Sequence, residues 1–145
     1  MSSDGMRDKI NVASFIRVIL IVAGVLILSA VGFFVANTQI HARAAFRDAK
    51  NIYLALSATE IEYYAAGQTI YDPTMEGNLA EGVRERVEKL ADNEGTYKIV
   101  SYDVKNHRLT GLQYHNGNYY VDYTYKKGQS KWEVKYMMTI SRYDD

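Results

Sequence analysis

The sequence VILIVAGVLILSAVGFFVA fills residues 18–36 and contains no charged side chain. Arg17 precedes it and Asn37 follows it. A helix over this range is about 28 Å long at ~1.5 Å per residue, close to the roughly 30 Å hydrocarbon core of a bilayer. Its only polar side chain, Ser29, can donate a hydrogen bond to the backbone of its own helix. The stretch therefore predicts a single transmembrane helix, with the lipid bilayer as its partner.

This segment divides the chain into three predicted regions: a tail at residues 1–17, the transmembrane segment at 18–36, and a folded head at 37–145 that includes an extension of the helix. A cleaved signal peptide would have an apolar core of about 7–15 residues and small residues at its exit. The apolar run is longer than that, and Phe34 and Val35 stand near its end. We therefore predict an uncleaved anchor.

The basic residues near the two ends of the segment are equal in number, so their count alone does not orient it. Arg17 lies directly at the boundary, whereas Arg43 lies several residues beyond the other end. A long C-terminal domain can cross a membrane largely regardless of its charge. We therefore expect a cytoplasmic N-terminus and an extracytoplasmic head at the cell membrane.

The overall charge is balanced, with 17 basic and 17 acidic residues. A chain without a large positive field is a poor candidate for binding nucleic acid, so we expect no nucleic-acid partner. The sequence contains no Cys, which excludes disulfides, a thiolate nucleophile and cysteine zinc sites. The stability of the head must therefore come from its packed core.

The helix is predicted to continue beyond the membrane, because residues 37–66 contain neither Pro nor Gly and are rich in Ala. Apolar residues recur there at spacings of three and four, which predicts one buried helix face; they are Ala42, Ala45, Phe46, Ala49, Ile52, Tyr53, Leu56 and Tyr63. Gly67 is predicted to cap the helix in a left-handed conformation. The small residues on this face favour either close packing within the head or a seam for other copies of the chain.

A short second helix is predicted in the connector that follows Asp72-Pro73. Asn78 is predicted as its N-cap, because Glu81 three residues later completes a capping box. Gly95 is predicted to end this helix. Its apolar stripe would consist of Leu79, Val83, Val87 and Leu90.

From residue 97 onward the apolar period changes to two, which predicts four strands at residues 97–104, 108–115, 119–126 and 131–141. Tight turns are predicted at Asn106-His107, Asn116-Gly117 and Lys127-Gly128, and such short links join antiparallel neighbours. In the third strand, Tyr119, Val121, Tyr123 and Tyr125 should face the core. Tyr120, Asp122, Thr124 and Lys126 should face outward.

The sequence therefore predicts an α+β fold in which a long N-terminal helix packs on a four-stranded antiparallel meander, with a short helix in the connector. This order resembles type IV pilins and pseudopilins. The resemblance rests on the apolar helix that runs into AFRDAKNIYLALSATEIEYYAAG at residues 45–67, on the connector and on the C-terminal hairpins. It implies a membrane-embedded N-terminal helix with a sheet packed on its C-terminal half.

The N-terminus differs from the processing motif of that family. Processed pilins resemble one another in a small residue before the cleavage site, an aromatic residue after it and Glu at the fifth place. Here Met6 follows Gly5, and Ile10 occupies the fifth place. After Ser14 and Phe15 the same place holds Ile19. Neither peptidase processing nor assembly into a pilus follows from these residues.

No catalytic, cofactor-binding or metal-binding residue is predicted. His41, His107 and His115 share no spacing typical of metal ligands, and no phosphate-binding or nucleophile motif occurs. Glu60 and Glu62 flank Ile61 on different helix faces and are interpreted as solvated charges. We therefore expect a protein that is not an enzyme.

Tyrosine is abundant, at 13 residues against four Phe and one Trp. Tyr favours strands and can bury its ring while its hydroxyl stays wet, so a structural role explains the bias. The alternative is a stacking surface, for which Tyr120 and Asp122 are the candidate ligand-facing residues. Two hypotheses follow: a structural or assembly component of the cell envelope, whose partners would be other copies or envelope-assembly proteins, and an anchored module that binds glycans or peptides.

Overall fold

The computed structural model describes residues 4–136. The elements are helix α1 (Asp4–Ala65), a 3₁₀ turn (Glu76–Asn78), helix α2 (Val83–Leu90) and strands β1 (Thr96–Asp103), β2 (Arg108–Asn116), β3 (Tyr119–Lys126) and β4 (Gln129–Tyr136). The strands form one antiparallel sheet in the order β1-β2-β3-β4. The predicted α+β meander is confirmed, and the predicted residues 137–141 of the last strand lie outside the described range.

The chain divides into two units, Met1–Ile40 and His41–Asp145. In the first unit the large apolar side chains are exposed, from Val12 to Val35 and at Ile40. The helix is long and apolar enough to cross a membrane, by length and composition. Ser29 Oγ donates a 2.8 Å hydrogen bond to the Val25 carbonyl, so the polar group in the segment is satisfied within its own helix, as predicted.

In the second unit, one face of α1 is buried against the sheet, as the spacing of its apolar residues predicts. Ala49, Ile52, Leu56 and Thr59 are fully buried, and Ala45 is nearly so. The helix ends in a Schellman motif at Gly67, whose φ is +72°. Gln68 N–H donates to the Tyr63 carbonyl at 2.8 Å, and Gly67 N–H donates to the Tyr64 carbonyl at 2.9 Å.

Aromatic side chains join α1 to the last two strands. Trp132 lies edge-on to Phe46 and Tyr53, with ring centroids 5.6 Å and 5.8 Å apart. Tyr123 packs against Tyr53 at 4.6 Å and against Trp132 at 4.8 Å. Burial raises the pKa of the Tyr123 hydroxyl, and its neighbour Tyr53 adds to that effect. The inward-facing rings of this Tyr-rich sheet are thus part of the core.

The strand faces also follow the predicted alternation. On β3, Val121 and Tyr123 are buried, and Tyr119 and Tyr125 pack against the core from its edge. Lys127 and Gly128 have φ of +51° and +80°, which matches the two positive φ angles of a type I′ hairpin.

Two of the turns differ from the prediction. The loop between β2 and β3 is Gly117-Asn118, because Asn116 still pairs with Tyr119. The loop between β1 and β2 spans residues 104–107, and the Asp103 carboxylate accepts hydrogen bonds from the backbone N–H groups of Lys105 and Asn106, both at 3.1 Å. The side chain of Asp103 thus organises the turn, and the prediction did not consider this role of an Asp residue.

The predicted capping box is wrong. Asn78 has a left-handed φ of +56° at the end of the 3₁₀ turn, and its Nδ2 donates a 2.7 Å hydrogen bond to the Ile99 carbonyl of β1. Helix α2 begins later, at Val83, after Gly82 with a φ of +79°. Asn78 thus closes the free edge of β1 instead of capping a helix, a non-local contact that local spacing does not reveal.

The predicted end of that helix is wrong as well. Helix α2 ends at Leu90, and Ala91 is already extended. Gly95 directly precedes β1, where a Cβ atom would lie 2.5 Å from the His115 carbonyl and 2.6 Å from the Tyr114 ring. This Gly is required for close packing at the start of the sheet. Of the predicted stripe, Leu79, Val83 and Val87 are buried, but Leu90 is exposed.

Candidate functional site

Tyr120 and Asp122 both lie on the outer face of the sheet, the face opposite α1. Both are partly buried. In the register of the sheet, Tyr120 is paired with His115 of β2 and Lys135 of β4, and Asp122 with Gln113 and Glu133. The structure therefore brings the two sequence-predicted residues onto one surface, but with different neighbours.

Asp122 belongs to a network that joins three strands. Its Oδ1 accepts a 2.9 Å hydrogen bond from Gln113 Nε2, and its Oδ2 accepts a 2.8 Å bond from Lys135 Nζ. Lys135 also lies 3.5 Å from Glu133, and these contacts raise the pKa of Lys135, mainly through Asp122. The flanking lysines, with Lys131 foremost, lower the pKa of Glu133. Both carboxylate oxygens of Asp122 are thus already engaged within the sheet.

Tyr120 has a different environment. Its ring is stacked on His115, with centroids 4.3 Å apart and planes 20° from parallel. Both residues line a cavity of about 290 Å³. The other lining residues come from two strands and from the connector: Thr96, Tyr97 and Lys98 of β1, Gln113 of β2, Glu76 and Gly77 of the 3₁₀ turn, and Arg84 of α2.

The side of this cavity formed by the connector depends on Gly77. Its φ is +69°, and a Cβ atom there would lie 3.1 Å from the Tyr97 carbonyl and 3.3 Å from Arg84 Nη2. The missing side chain leaves room for the guanidinium, which lies over the Tyr97 ring at 5.7 Å from its centroid. Burial raises the pKa of Tyr97 to about 12, against a lowering effect of Arg84. Arg84 therefore lies at the cavity against the Tyr97 ring, with Glu76 Oε1 3.4 Å from its Nη2.

A second cavity of about 340 Å³ lies further along the same face. It is lined by Asp122, Thr124, Lys126, Gln129, Lys131 and Glu133. Four of these residues are charged, and Lys131 pairs with Glu133. Three of its four charged groups are thus already paired, Lys131 with Glu133 and Asp122 with Lys135.

A third cavity, also about 340 Å³, lies between the end of α1 and the β1–β2 turn. Glu60 lines it and is partly buried, whereas its neighbour Glu62 forms an exposed two-bond pair with Arg86 at 2.8 and 2.7 Å. Burial raises the pKa of Glu60, although Tyr102, His107, the Leu109 backbone and Arg108 oppose it. The interpretation of Glu60 as a solvated charge is therefore wrong, since its carboxylate is partly buried beside Tyr102 and the Leu109 backbone.

Within the described residues, no group of three or more His, Asp or Glu side chains could hold a metal ion. His115 and His107 lie at different cavities. No family model, curated protein or solved structure matches the chain. The chemistry of the site must therefore be argued from its own residues.

Sequence reasoning missed Arg84, Lys98 and His115 at the first cavity. The register of the β1–β2 hairpin, in which Lys98 pairs with Gln113 and Thr96 with His115, could have placed Lys98 and His115 together. No sequence signal brings Arg84 to them, because its position depends on how the connector packs at the edge of β1.

Proposed function

We propose that the protein is a non-enzymatic, single-pass, membrane-anchored component of the cell envelope with a pilin-like head, acting in structure or assembly. One observation supports the membrane anchor. The apolar side chains of residues 18–36 are almost all exposed, so no residue in the described part of the chain covers them. A continuous apolar helix surface of this length is stable in hydrocarbon, where every backbone group is bonded within the helix.

The pilin-like part of the proposal is supported by the order of elements. A helix with an apolar N-terminal half and an amphipathic C-terminal half precedes an antiparallel sheet that packs on the second half. Since Gly5 and Ile10 do not match the processing motif, the proposed protein keeps its N-terminal tail and acts as an unprocessed anchor. Its partners would be the bilayer and other envelope-assembly proteins or copies of itself.

The anchoring is tested by membrane fractionation of charged variants of the full chain. Replacing Leu26 and Ile27 with Arg in the exposed segment should cost about 5–7 kcal/mol of insertion free energy and move the protein out of the membrane fraction. Leu54→Arg with Ile61→Arg is the matched control, because these residues are 63% and 71% exposed on the head portion of α1. Equal membrane retention of both double variants would contradict the anchor.

The orientation is tested by adding protease to spheroplasts that express the intact chain, while the N-terminal mass and the C-terminal fragments are followed together. The proposal predicts digestion of the head and an untrimmed N-terminus. Protection of the head would place it in the cytoplasm and end the envelope proposal. A trimmed N-terminus would contradict the unprocessed anchor.

A further inference from the structure

We propose that the cavity at Tyr120 and His115 binds a sugar acid, that is, a monosaccharide unit that carries one carboxylate. This inference gives the binding-module hypothesis a ligand class. It does not depend on the membrane anchor, because every residue that lines the cavity belongs to the unit His41–Asp145.

The charge of the lining is the first argument. Arg84 and Lys98 are cations, and Glu76 is the only carboxylate among the lining residues. Glu76 does not neutralise Arg84 firmly, since the pair is 3.4 Å apart and the Glu76 side chain is 93% exposed. Lys98 makes no ion pair with any residue in the described part of the chain. One net positive charge remains, which matches a monoanionic carboxylate better than a dianionic phosphate.

The geometry of the donors is the second argument. A guanidinium presents a planar fork that binds both oxygens of a carboxylate, and a lysine ammonium adds a point charge. Arg84 and Lys98 come from different elements, a helix of the connector and the first strand, and line the same cavity. A carboxylate between them would receive charge-assisted hydrogen bonds from two sides.

The remaining lining favours a polyhydroxylated ligand. His115 Nε2 is buried and has no hydrogen-bond partner in the described chain. An unpaired buried ring nitrogen is costly, and a ligand hydroxyl would satisfy it once the stacked Tyr120 ring moves aside and exposes it. Thr96 offers a hydroxyl, and Gln113 keeps its carbonyl oxygen as an acceptor while its amide donates to Asp122. Tyr120 supplies an aromatic surface beside these groups.

The size of the cavity limits the ligand. Pockets for drug-sized molecules start at about 300 Å³, so a cavity of about 290 Å³ suits a single sugar ring. The sugar acid could be a free monosaccharide or one unit of a polysaccharide, and the cavity would contact a single unit in either case.

The experiment is an NMR titration of the full chain in detergent micelles, with labelled histidine. The side-chain signals of His41, His107 and His115 are assigned with the His41→Gln and His107→Gln variants. D-Glucuronate is the probe, D-glucose and glucose 6-phosphate are the ligand controls, and a hyaluronan tetrasaccharide presents the same uronate in polymer linkage. Glucuronate should shift the His115 signal saturably, and glucose should not.

Lys98→Ala should weaken glucuronate binding roughly tenfold, the effect of losing one charge-assisted hydrogen bond. Lys126→Ala is the matched control, an exposed lysine on the same face that lines the other cavity, and should change the dissociation constant less than twofold. Arg84→Lys should also weaken binding, because it keeps the charge but loses the fork. The amide spectrum of each variant reports whether the sheet is intact.

A tetrasaccharide that binds tighter than glucuronate assigns the site to a polymer, and equal or weaker binding assigns it to the free sugar acid. The proposal is overturned if no probe shifts His115, if glucose 6-phosphate binds tighter than glucuronate, or if the two lysine variants weaken binding equally. These binding results do not depend on whether residues 18–36 span a membrane. A failure of sugar-acid binding is therefore distinguishable from a failure of the proposed membrane anchoring.

Discussion

Leu56→Ala and Leu54→Ala test whether the described face of α1 holds the head together. The two residues are two positions apart in α1, yet Leu56 is fully buried in the core and Leu54 is 63% exposed. Both substitutions change helix propensity equally. The difference between their effects on the free energy of unfolding therefore measures the packing of the Leu56 side chain. Removing three buried carbon atoms from Leu56 costs about 2.4 kcal/mol of transfer free energy, and the cavity left behind brings the total to about 3 kcal/mol. Leu54→Ala should stay within about 0.5 kcal/mol.

The assay is thermal unfolding of the full chain in detergent micelles, followed by the fluorescence of Trp132, the single Trp of the chain. Trp132 contacts Phe46 and Tyr53 of α1, so its signal reports the separation of helix and sheet. A loss of about 3 kcal/mol lowers the melting temperature of a unit of this size by at least about 10 °C. Equal melting temperatures for the two variants would refute the assignment of the buried face.

Three further predictions concern the connector, the third cavity and the sheet. Asn78→Ala should lower the free energy of unfolding by about 1–2 kcal/mol in chemical unfolding, because Ala loses the hydrogen bond to the Ile99 carbonyl and must still adopt a left-handed φ. Asn78→Gly loses only the hydrogen bond and should therefore cost less. A larger cost for Gly than for Ala would contradict this account. Burial raises the pKa of the Glu60 carboxyl above its ordinary value of 4.5, so the folded chain binds the carboxyl proton more tightly than the unfolded chain does. The stability of the folded state therefore falls as the pH rises above 4.5. Glu60→Gln should therefore raise the melting temperature at pH 7 and change it less at pH 4; an equal effect at both would refute the role of burial. The amides of Tyr119–Lys126 should exchange slowly, since β3 is paired on both sides, and fast exchange throughout would contradict the sheet.

The regular elements of the head could be predicted because their signals are local. The third strand has the predicted bounds, Tyr119–Lys126, since alternation of apolar and polar residues and two turn signals delimit it. Lys127 and Gly128 form the predicted hairpin turn. The C-cap at Gly67 follows from the end of the apolar spacing together with a residue that tolerates positive φ.

The connector could not be predicted in the same way. Asn78 and Glu81 satisfy the spacing of a capping box, but the Asn78 side chain bonds to the backbone of β1, which lies 21 residues further along the chain at Ile99. An Asn side chain can cap a helix or bond to a distant backbone, and only the tertiary contact decides between the two roles. Gly95 is similar, because its need for a small residue arises from the packing of Tyr114.

Contacts between distant segments also explain why only part of the candidate site could be predicted from the sequence. Strand periodicity places Tyr120 on the outer face, but the β2–β3 loop lies one residue later than predicted, so the pairing of His115 with Tyr120 does not follow from the predicted turn. The cationic side needs Arg84, which reaches the cavity because Asn78 and Gly77 hold the 3₁₀ turn against β1. The error at Asn78 and the omission of Arg84 therefore have one cause. A substitution that loosens the turn, such as Asn78→Ala, should accordingly weaken sugar-acid binding as well as stability, although Asn78 is not among the residues that line the cavity.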